Sequence, residues 1–237
     1  MISIVGRGNV ASHLLKALST YSETVLVNPR TLEDLPEKSD IILISVSDNA
    51  IEEVAAKLPD TEAVVAHTAG SVPMKVLDRF KNHGVFYPLQ TFTKDIPLHY
   101  GGIPVFIEGN SPETEKKLKE TASMFSGKVC PANSDSRKKL HLASVFACNF
   151  TNALATISAE LLKETDIDFQ TVLPLMRQTI DKLQTLSPDK AQTGPAVRGD
   201  YKVMADHLKM LSDRKDLKSL YLIFSNLISD RLNHHEI

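Results

Sequence analysis

The stretch VGRGNVASHL, residues 5–14, decides the first part of the fold. It follows an apolar run, and its Gly6, Gly8 and Ala11 match the pattern G-x-G-x-x-G/A between a strand and a helix. In such a loop the glycines allow a tight turn and a close approach of the backbone to a pyrophosphate, and the helix N-terminus offers free N–H groups. A glycine turn without a nucleotide is the alternative. We predict a dinucleotide-binding loop that contains Gly6, Gly8, Asn9 and Val10.

The first half of the chain alternates short β-branched runs with stretches of helical spacing, which is typical of parallel βαβ units. After Pro131 the strand signals stop and helical spacing continues to the end. We therefore predict an α/β fold, with an N-terminal Rossmann-type doubly wound parallel sheet followed by an all-α C-terminal domain. The turn-like segment CPANSDS divides the chain into a cofactor-binding domain, residues 1–132, and a helical domain, residues 133–237.

The charge and the apolar content of the chain indicate which kinds of partner to expect. The 237 residues carry a formal net charge of -2, so there is no basic excess to attract a nucleic acid, and a small-molecule substrate is favoured. Apolar windows such as IILISV are shorter than the roughly 20 residues of a membrane span, so no membrane partner is expected. The chain enters an apolar run at its second residue, which leaves no signal peptide and predicts a cytoplasmic protein. The two cysteines form no CxxC pair, and no metal site is predicted.

The end of the second predicted strand reads VNPRT, residues 27–31. An NAD enzyme usually places an acidic residue there, against the ribose 2′-hydroxyl. Here the segment instead offers neutral hydrogen-bonding groups on Asn28 and Thr31 and the guanidinium of Arg30, which suits a 2′-phosphate. An exposed arginine that is only a solvated charge is the alternative. The segment predicts NADP as the cofactor.

Two further strand ends are expected at the same crevice, because open α/β sheets bind ligands at the carboxyl ends of their strands. Ser45, Val46 and Ser47 follow one apolar strand and are predicted to lie along the nicotinamide ribose. His67 and Thr68 follow the next and complete the predicted cofactor-binding set. For His67, a purely structural histidine is the alternative.

A long apolar helix is predicted around KKLHLASVFACNFTNAL, residues 138–154. His141, Asn149 and Asn152 fall at i, i+8 and i+11, which places one imidazole and two amides on one stripe. An unpaired buried amide costs about 1–3 kcal/mol, so these groups bond either to other helices or within a cleft. Hydride transfer needs a proton donor beside the developing oxyanion or amine. We predict His141 as that donor, Asn149 as the group that orients the substrate, and Asn152 as a substrate contact.

The segment AQTGPAVRGD, residues 191–200, reads as a turn between helices. Its Arg198 is a candidate for binding a substrate carboxylate or for an ion pair between subunits. A plain structural turn accounts for the glycines and the proline equally well.

The chain resembles a Rossmann-like family of NADP oxidoreductases. The resemblance rests on six motifs in this order along the chain: VGRGNVASHL, AHTAGS, VFYPLQTF, GGIPVFIEG, KKLHLASVFACNF and QTGPAVRGD. That family is often described as deazaflavin-coenzyme-dependent and has a C-terminal domain of unknown function. It is more distantly similar to pyrroline-5-carboxylate reductase, ketopantoate reductase and the 3-hydroxyacid dehydrogenases. The resemblance implies a reductase with its site between the domains and a homodimer built through the helical domain.

One position departs from the more distant relatives. In the ketopantoate and hydroxyacid enzymes a lysine, with an asparagine one turn later, acts from the equivalent helix. Here the stripe offers His141, then Val145, then Asn149. Either His141 does the work of the lysine or this helix serves a different chemistry. The sequence thus predicts an NADP(H)-dependent oxidoreductase acting on a small carbonyl or imine, with a dinucleotide-binding sensor or scaffold as the alternative.

Overall fold

The computed structural model describes residues 1–233, and its first half is built on one seven-stranded sheet with the order β2-β1-β3-β4-β5-β6-β7. The first five strands run parallel to one another. This arrangement, with helices after the sheet, confirms the predicted fold class. The strands are β1 Ile2–Val5, β2 Thr24–Val27, β3 Ile41–Ile44, β4 Val64–His67, β5 His83–Pro88, β6 Val105–Gly109 and β7 Val129–Pro131.

The sheet is not parallel throughout, because β6 runs antiparallel to β5, and β7 then pairs parallel to β6. A parallel neighbour requires a crossover that carries the chain back to the other end of the sheet, usually through a helix. Between β5 and β6 the chain contains only a short 3-10 turn, Tyr100–Gly102, so the next strand returns in the opposite direction.

Helices cover both faces of the sheet, as a doubly wound fold requires. Alternate residues of β3 point to opposite faces, so Leu43 packs with one apolar core and Ile44 with the other. The first core is closed by α1, Asn9–Leu18, and α3, Pro112–Ser123. The second is closed by α2, Ile51–Lys57, and by a 3-10 turn, Met74–Leu77.

From Ser134 onward the described chain is helical. The predicted long helix is present, but it contains a π-helical segment, Val145–Phe150, that the sequence pattern did not indicate. Contacts group the chain into two compact units, Met1–Ala155 and the part that begins at Thr156, while the predicted functional boundary between residues 132 and 133 stays a prediction. The helices are α4 Ser134–Ser144, α5 Thr151–Leu162, α6 Leu173–Lys182, α7 Pro188–Ala191, α8 Pro195–Arg198, α9 Tyr201–Met210 and α10 Lys215–Asn233.

Candidate functional site

A cavity of about 510 Å³ opens at the carboxyl edge of the parallel strands. It lies where β1 has β2 on one side and β3 on the other, which is the switch point at which open α/β sheets bind ligands. All of its lining belongs to the first compact unit. The lining residues are Arg7, Gly8, Asn9, Val10, Ser45, Val46, Ser47, Asp48, Thr68, Ala69, Gly70, Tyr87, Gln90, Phe92 and His141.

The glycine loop has the geometry that a pyrophosphate site needs. Gly6 has a φ of +157°, and a Cβ at this residue would fall 2.1 Å from the carbonyl oxygen of Ser45, so only glycine fits. Gly8 is exposed, and a Cβ there would meet nothing within 4 Å, so the backbone beside it is open to a ligand. No side chain caps the N-terminus of α1, which leaves its first N–H groups available to an anion. The loop therefore fits the phosphates of a dinucleotide.

Asn9 contributes to this loop through its backbone rather than its amide group. Its Nδ2 donates to the carbonyl oxygen of Phe92 at 2.9 Å. On the same helix the ring of His13 bonds to the carbonyl oxygen of Thr93 at 2.8 Å. These contacts hold the segment after β5 against the start of α1, and they place Phe92 in the wall of the cavity.

The loop after β2 presents Arg30 to solvent. The N–H of Arg30 donates to Oδ1 of Asn28 at 3.1 Å, and the N–H of Leu32 donates to the Asn28 carbonyl oxygen at 3.0 Å. Leu32 has a φ of +57°, an unfavourable conformation for leucine, and it packs against the second core. Asn28, Arg30 and Thr31 lie outside the lining of the cavity, at the edge strand beside it.

Ser45 and Thr68 meet at the ends of β3 and β4. The Thr68 hydroxyl donates to Oγ of Ser45 at 3.3 Å, and both residues line the cavity together with Val46 and Ser47. Four of the predicted cofactor-binding residues are thus neighbours in space.

His67 is placed differently from its predicted neighbours. Its side chain is buried, does not line the cavity, and accepts a hydrogen bond at Nδ1 from the N–H of Ala69 at 3.2 Å. Its Nε2 has no hydrogen-bond partner among the residues that the structure describes. Burial and, to a smaller extent, the positive charge of Arg137 together lower the pKa of His67 to about 4. The ring is therefore uncharged at neutral pH and buried next to Thr68, which does line the cavity.

His141, on α4, reaches the cavity and contacts Tyr87, a residue that the sequence analysis did not single out. The Tyr87 hydroxyl and Nδ1 of His141 are 3.2 Å apart, and the two rings meet edge to face at 6.2 Å. Burial raises the pKa of Tyr87, and the carboxylate of Asp48 raises it further. The phenol therefore keeps its proton at neutral pH.

A buried ion pair fixes the start of α4 and so the position of His141. Arg137 has no exposed side-chain surface and pairs with Glu108 of β6. Its Nη2 also donates to the carbonyl oxygen of Val72 at 2.6 Å, and Ser134 donates its hydroxyl to the same carboxylate at 2.9 Å. The sequence analysis did not identify Arg137, because an arginine followed by two lysines is expected to be exposed to solvent.

The structure does not bring the predicted amides to the cavity. Asn149 is exposed within the π-helical segment, Asn152 is exposed on α5, and neither lines the cavity. Arg198, in the second unit, pairs with Asp200 at 2.8 Å. Their roles in binding or catalysis stay predictions.

The helical stretch Ser134–Leu162 includes a long apolar segment that is not buried. Among the described residues it is long and apolar enough to cross a membrane, with a mean hydropathy of 1.3 in its best window and none of that window buried. Large side chains that lie exposed along it are Leu142, Phe146, Phe150, Leu154 and Leu161.

These features define a Rossmann-type α/β protein with a helical C-terminal part. A family described as a domain of unknown function, DUF2520, matches residues 103–228, and the chain belongs to this family. None of the curated proteins matches the chain.

Several solved structures are similar to this chain over nearly its whole length. A Bacteroides fragilis protein, provisionally named an NADP oxidoreductase, is 37% identical, with a TM-score of 0.86 over 97% of each chain. A Myxococcus stipitatus imine reductase in complex with NADP⁺ is 15% identical, with a TM-score of 0.63 over 99% of this chain and 94% of that one. A 1-pyrroline-5-carboxylate reductase from Streptococcus pyogenes is 14% identical, with a TM-score of 0.60 over 97% and 98%. The last two share the fold with this chain.

Proposed function

We propose that this protein is an NADP(H)-dependent oxidoreductase acting on a small carbonyl or imine compound. The observation that carries the proposal is the cavity in which the glycine loop, the ends of β3 and β4, and the Tyr87–His141 pair meet. It is supported by the similar Bacteroides fragilis protein, whose name states an NADP oxidoreductase. The two more distant neighbours are named as an imine reductase and a pyrroline-carboxylate reductase, and both names indicate an imine substrate, which belongs to the class proposed here.

The residues of the first unit divide into two binding tasks. The backbone N–H groups of Gly8, Asn9 and Val10 bind the pyrophosphate, since they begin an uncapped helix next to open space. Arg30, with Asn28 and Thr31 beside it, binds the 2′-phosphate that distinguishes NADP from NAD. When bound, the nicotinamide supplies or accepts the hydride. The ribose and the nicotinamide are held by Ser45, Val46, Ser47 and Thr68, with His67 behind them.

His141 supplies the proton that accompanies the hydride to the substrate. It is the histidine in the cavity lining, and imidazole suits proton transfer near neutral pH. In this proposal Asn149 orients the substrate, and Asn152 and Arg198 contact it. A deazaflavin coenzyme is a further ligand to be tested alongside NADP(H).

We also propose that the protein is a homodimer built through its helical domain. The apolar window of Ser134–Leu162 contains no buried residue, so its exposed apolar side chains favour association, and a second copy offers the same apolar face for a symmetric interface. Insertion of the helix into a lipid bilayer is less favourable, because His141, Asn149 and Asn152 interrupt its apolar sequence and polar groups are costly in a bilayer. The expected location is the cytoplasm.

The test is turnover by the purified protein. NADPH consumption is followed with 1-pyrroline-5-carboxylate, other small cyclic imines and 2-oxo acids as substrates. We expect turnover of at least one of them, and a loss of about 10²-fold or more in His141→Ala, the range of a general acid. His99→Ala, which alters an exposed histidine outside the cavity, is the matched control and should keep full activity.

Two results would contradict parts of the proposal. If NADPH binds but none of these compounds is turned over, the protein is a dinucleotide-binding sensor or scaffold. If His141→Ala and Asn149→Ala leave turnover of every accepted substrate unchanged, the roles assigned to these residues are wrong.

A further inference from the structure

We propose that Tyr87 is a catalytic residue of this site, which donates its hydroxyl proton to the substrate and is resupplied through Nδ1 of His141. The inference rests on the proposed function, since it concerns the proton that accompanies the hydride. It assigns His141 the role of proton source and Tyr87 the direct contact with the reacting atom.

The position of the Tyr87 hydroxyl supports this order. Tyr87 is the penultimate residue of β5, a strand that is paired on both sides, so its backbone is fixed opposite Phe106 of β6. The ring is half-buried and lines the cavity with His141. Among the described residues, the hydrogen bond recorded for the Tyr87 hydroxyl is the one to His141, at 3.2 Å. A phenol oxygen both accepts and donates, so one direction stays available for a ligand in the cavity.

The pair has two hydrogen-bond states. When His141 is neutral, Tyr87 donates to Nδ1 and the imidazole proton stays on Nε2. When His141 is protonated, Nδ1–H donates to the Tyr87 oxygen, and the phenol proton is free to point at the substrate. Tyr87 keeps that proton in the resting site because burial and the carboxylate of Asp48 raise its pKa, against a smaller opposing effect of Arg137.

In the proton transfer, each bond that breaks on His141 or Tyr87 is matched by a bond that forms on Tyr87 or the substrate. The hydride that bound NADPH would supply forms a C–H bond at the substrate carbon and leaves NADP⁺. The carbon–oxygen π bond of the substrate then breaks and its electrons pass to oxygen. The Tyr87 O–H bond breaks and the substrate O–H bond forms, while Nδ1–H of the imidazolium breaks and the Tyr87 O–H bond re-forms. An alkoxide is a much stronger base than a phenolate, so the transfer is downhill. Neutral His141 remains, in the Nε2–H form, and it regains a proton from solvent.

Gly70 is the residue that lets this pair form. A Cβ at Gly70 would lie 2.7 Å from Cζ of Tyr87 and 2.8 Å from Nδ1 of His141, closer than real Cβ contacts. Three separate elements therefore converge here: the turn after β4, the end of β5 and α4. Gly70→Ala forces the two rings apart without removing a functional group from either.

The first experiment uses the cofactor-free protein, so its readout does not depend on turnover. Nitrogen NMR shifts of His141 report its tautomer. We expect neutral His141 to carry its proton on Nε2, and we expect Tyr87→Phe and Gly70→Ala to weaken that preference. Tyr221→Phe removes the same kind of bond, 2.9 Å to Nδ1 of His207 on α9, and is the matched control that should leave His141 unchanged. A mixed or Nδ1–H tautomer in the wild-type protein would overturn the proposal.

The second experiment measures turnover against pH. We expect Tyr87→Phe to lower kcat about 10²-fold with little change in KM. Wild-type turnover should fall as pH rises, and His141→Asn should remove that dependence along with most of kcat. If Tyr87→Phe keeps the wild-type kcat and pH profile while His141→Asn loses activity, His141 contacts the substrate itself; the proposal for Tyr87 then fails and the proposed function stands.

Discussion

Gly6 lies so close to the Ser45 carbonyl that a Cβ would fall 2.1 Å from its oxygen, whereas a Cβ at Gly8 would meet nothing within 4 Å. The two glycines of one loop therefore have different physical reasons to be glycine. The first is required by packing between β1 and β3, and the second is the position at which the proposed function brings the pyrophosphate close to the backbone.

Gly6→Ala and Gly8→Ala separate these reasons. We expect Gly6→Ala to lower the free energy of unfolding by about 1–3 kcal/mol, because the methyl group overpacks the sheet edge. Gly8→Ala should leave unfolding by urea almost unchanged and weaken NADPH binding in calorimetry. Equal stability of wild-type protein and Gly6→Ala would contradict the loop geometry, and unchanged binding in Gly8→Ala would contradict the pyrophosphate site.

The ion pair between Arg137 and Glu108 should matter for stability. Arg137 is fully buried, so Arg137→Met leaves an uncompensated carboxylate and should cost about 3–5 kcal/mol in urea unfolding. Adding Glu108→Gln to that variant should recover part of the loss. The control is Arg198→Ala, which breaks an exposed pair with Asp200 and should cost less than about 1 kcal/mol. A cost for Arg137→Met as small as that of the control would contradict the buried pair.

His67 should make stability depend on pH in the acid range. Its pKa is lowered from 6.5 to about 4 in the folded protein, so the unfolded chain binds the proton more tightly. The stabilisation is present above pH 6.5 and is lost as pH falls toward about 4, with a total of the order of 3 kcal/mol. Thermal unfolding of His67→Gln should show a flatter pH dependence than wild type over this window. His99→Gln, at an exposed histidine, should keep the wild-type slope, and the prediction fails if the two variants behave alike.

The exposed apolar face of the stretch Ser134–Leu162 leads us to expect a dimer in solution. Sedimentation of the wild-type protein without detergent should show a dimer, and Phe146→Glu should shift it toward monomer, because Phe146 is 63% exposed on the apolar face. Lys139→Glu changes a charge at the border of the apolar segment and is the control that should stay dimeric. A wild-type monomer would contradict the dimer, and pelleting of the protein with phosphatidylcholine vesicles would assign the apolar face to a membrane.

Most of the sheet could be predicted from sequence, because buried parallel strands are short apolar runs separated by turn residues. The glycine loop was equally clear, since its spacing is local. The antiparallel direction of β6 was not, because it follows from the missing crossover helix before Val105.

The site was harder to predict than the sheet. Tyr87 lies within an apolar strand, VFYP, and its partner His141 is 54 residues away in sequence, so no local pattern joins them. The stripe from His141 to Asn149 assumed a regular α-helix, but the π-helical segment that begins at Val145 changes the helical period between them. Only tertiary structure shows that His141 reaches the cavity and Asn149 does not.

In the proposed function the loop edge of the sheet holds NADP(H), with Arg30 on the 2′-phosphate. Calorimetric titration of the wild-type protein and Arg30→Ala with NADPH and with NADH tests it most directly. We expect the wild-type protein to bind NADPH at least about tenfold more tightly than NADH, which is roughly 1.4 kcal/mol. In Arg30→Ala we expect that preference to be lost while NADH binding is unchanged. Equal affinity of the wild-type protein for the two dinucleotides, or equal weakening of both by Arg30→Ala, would contradict it.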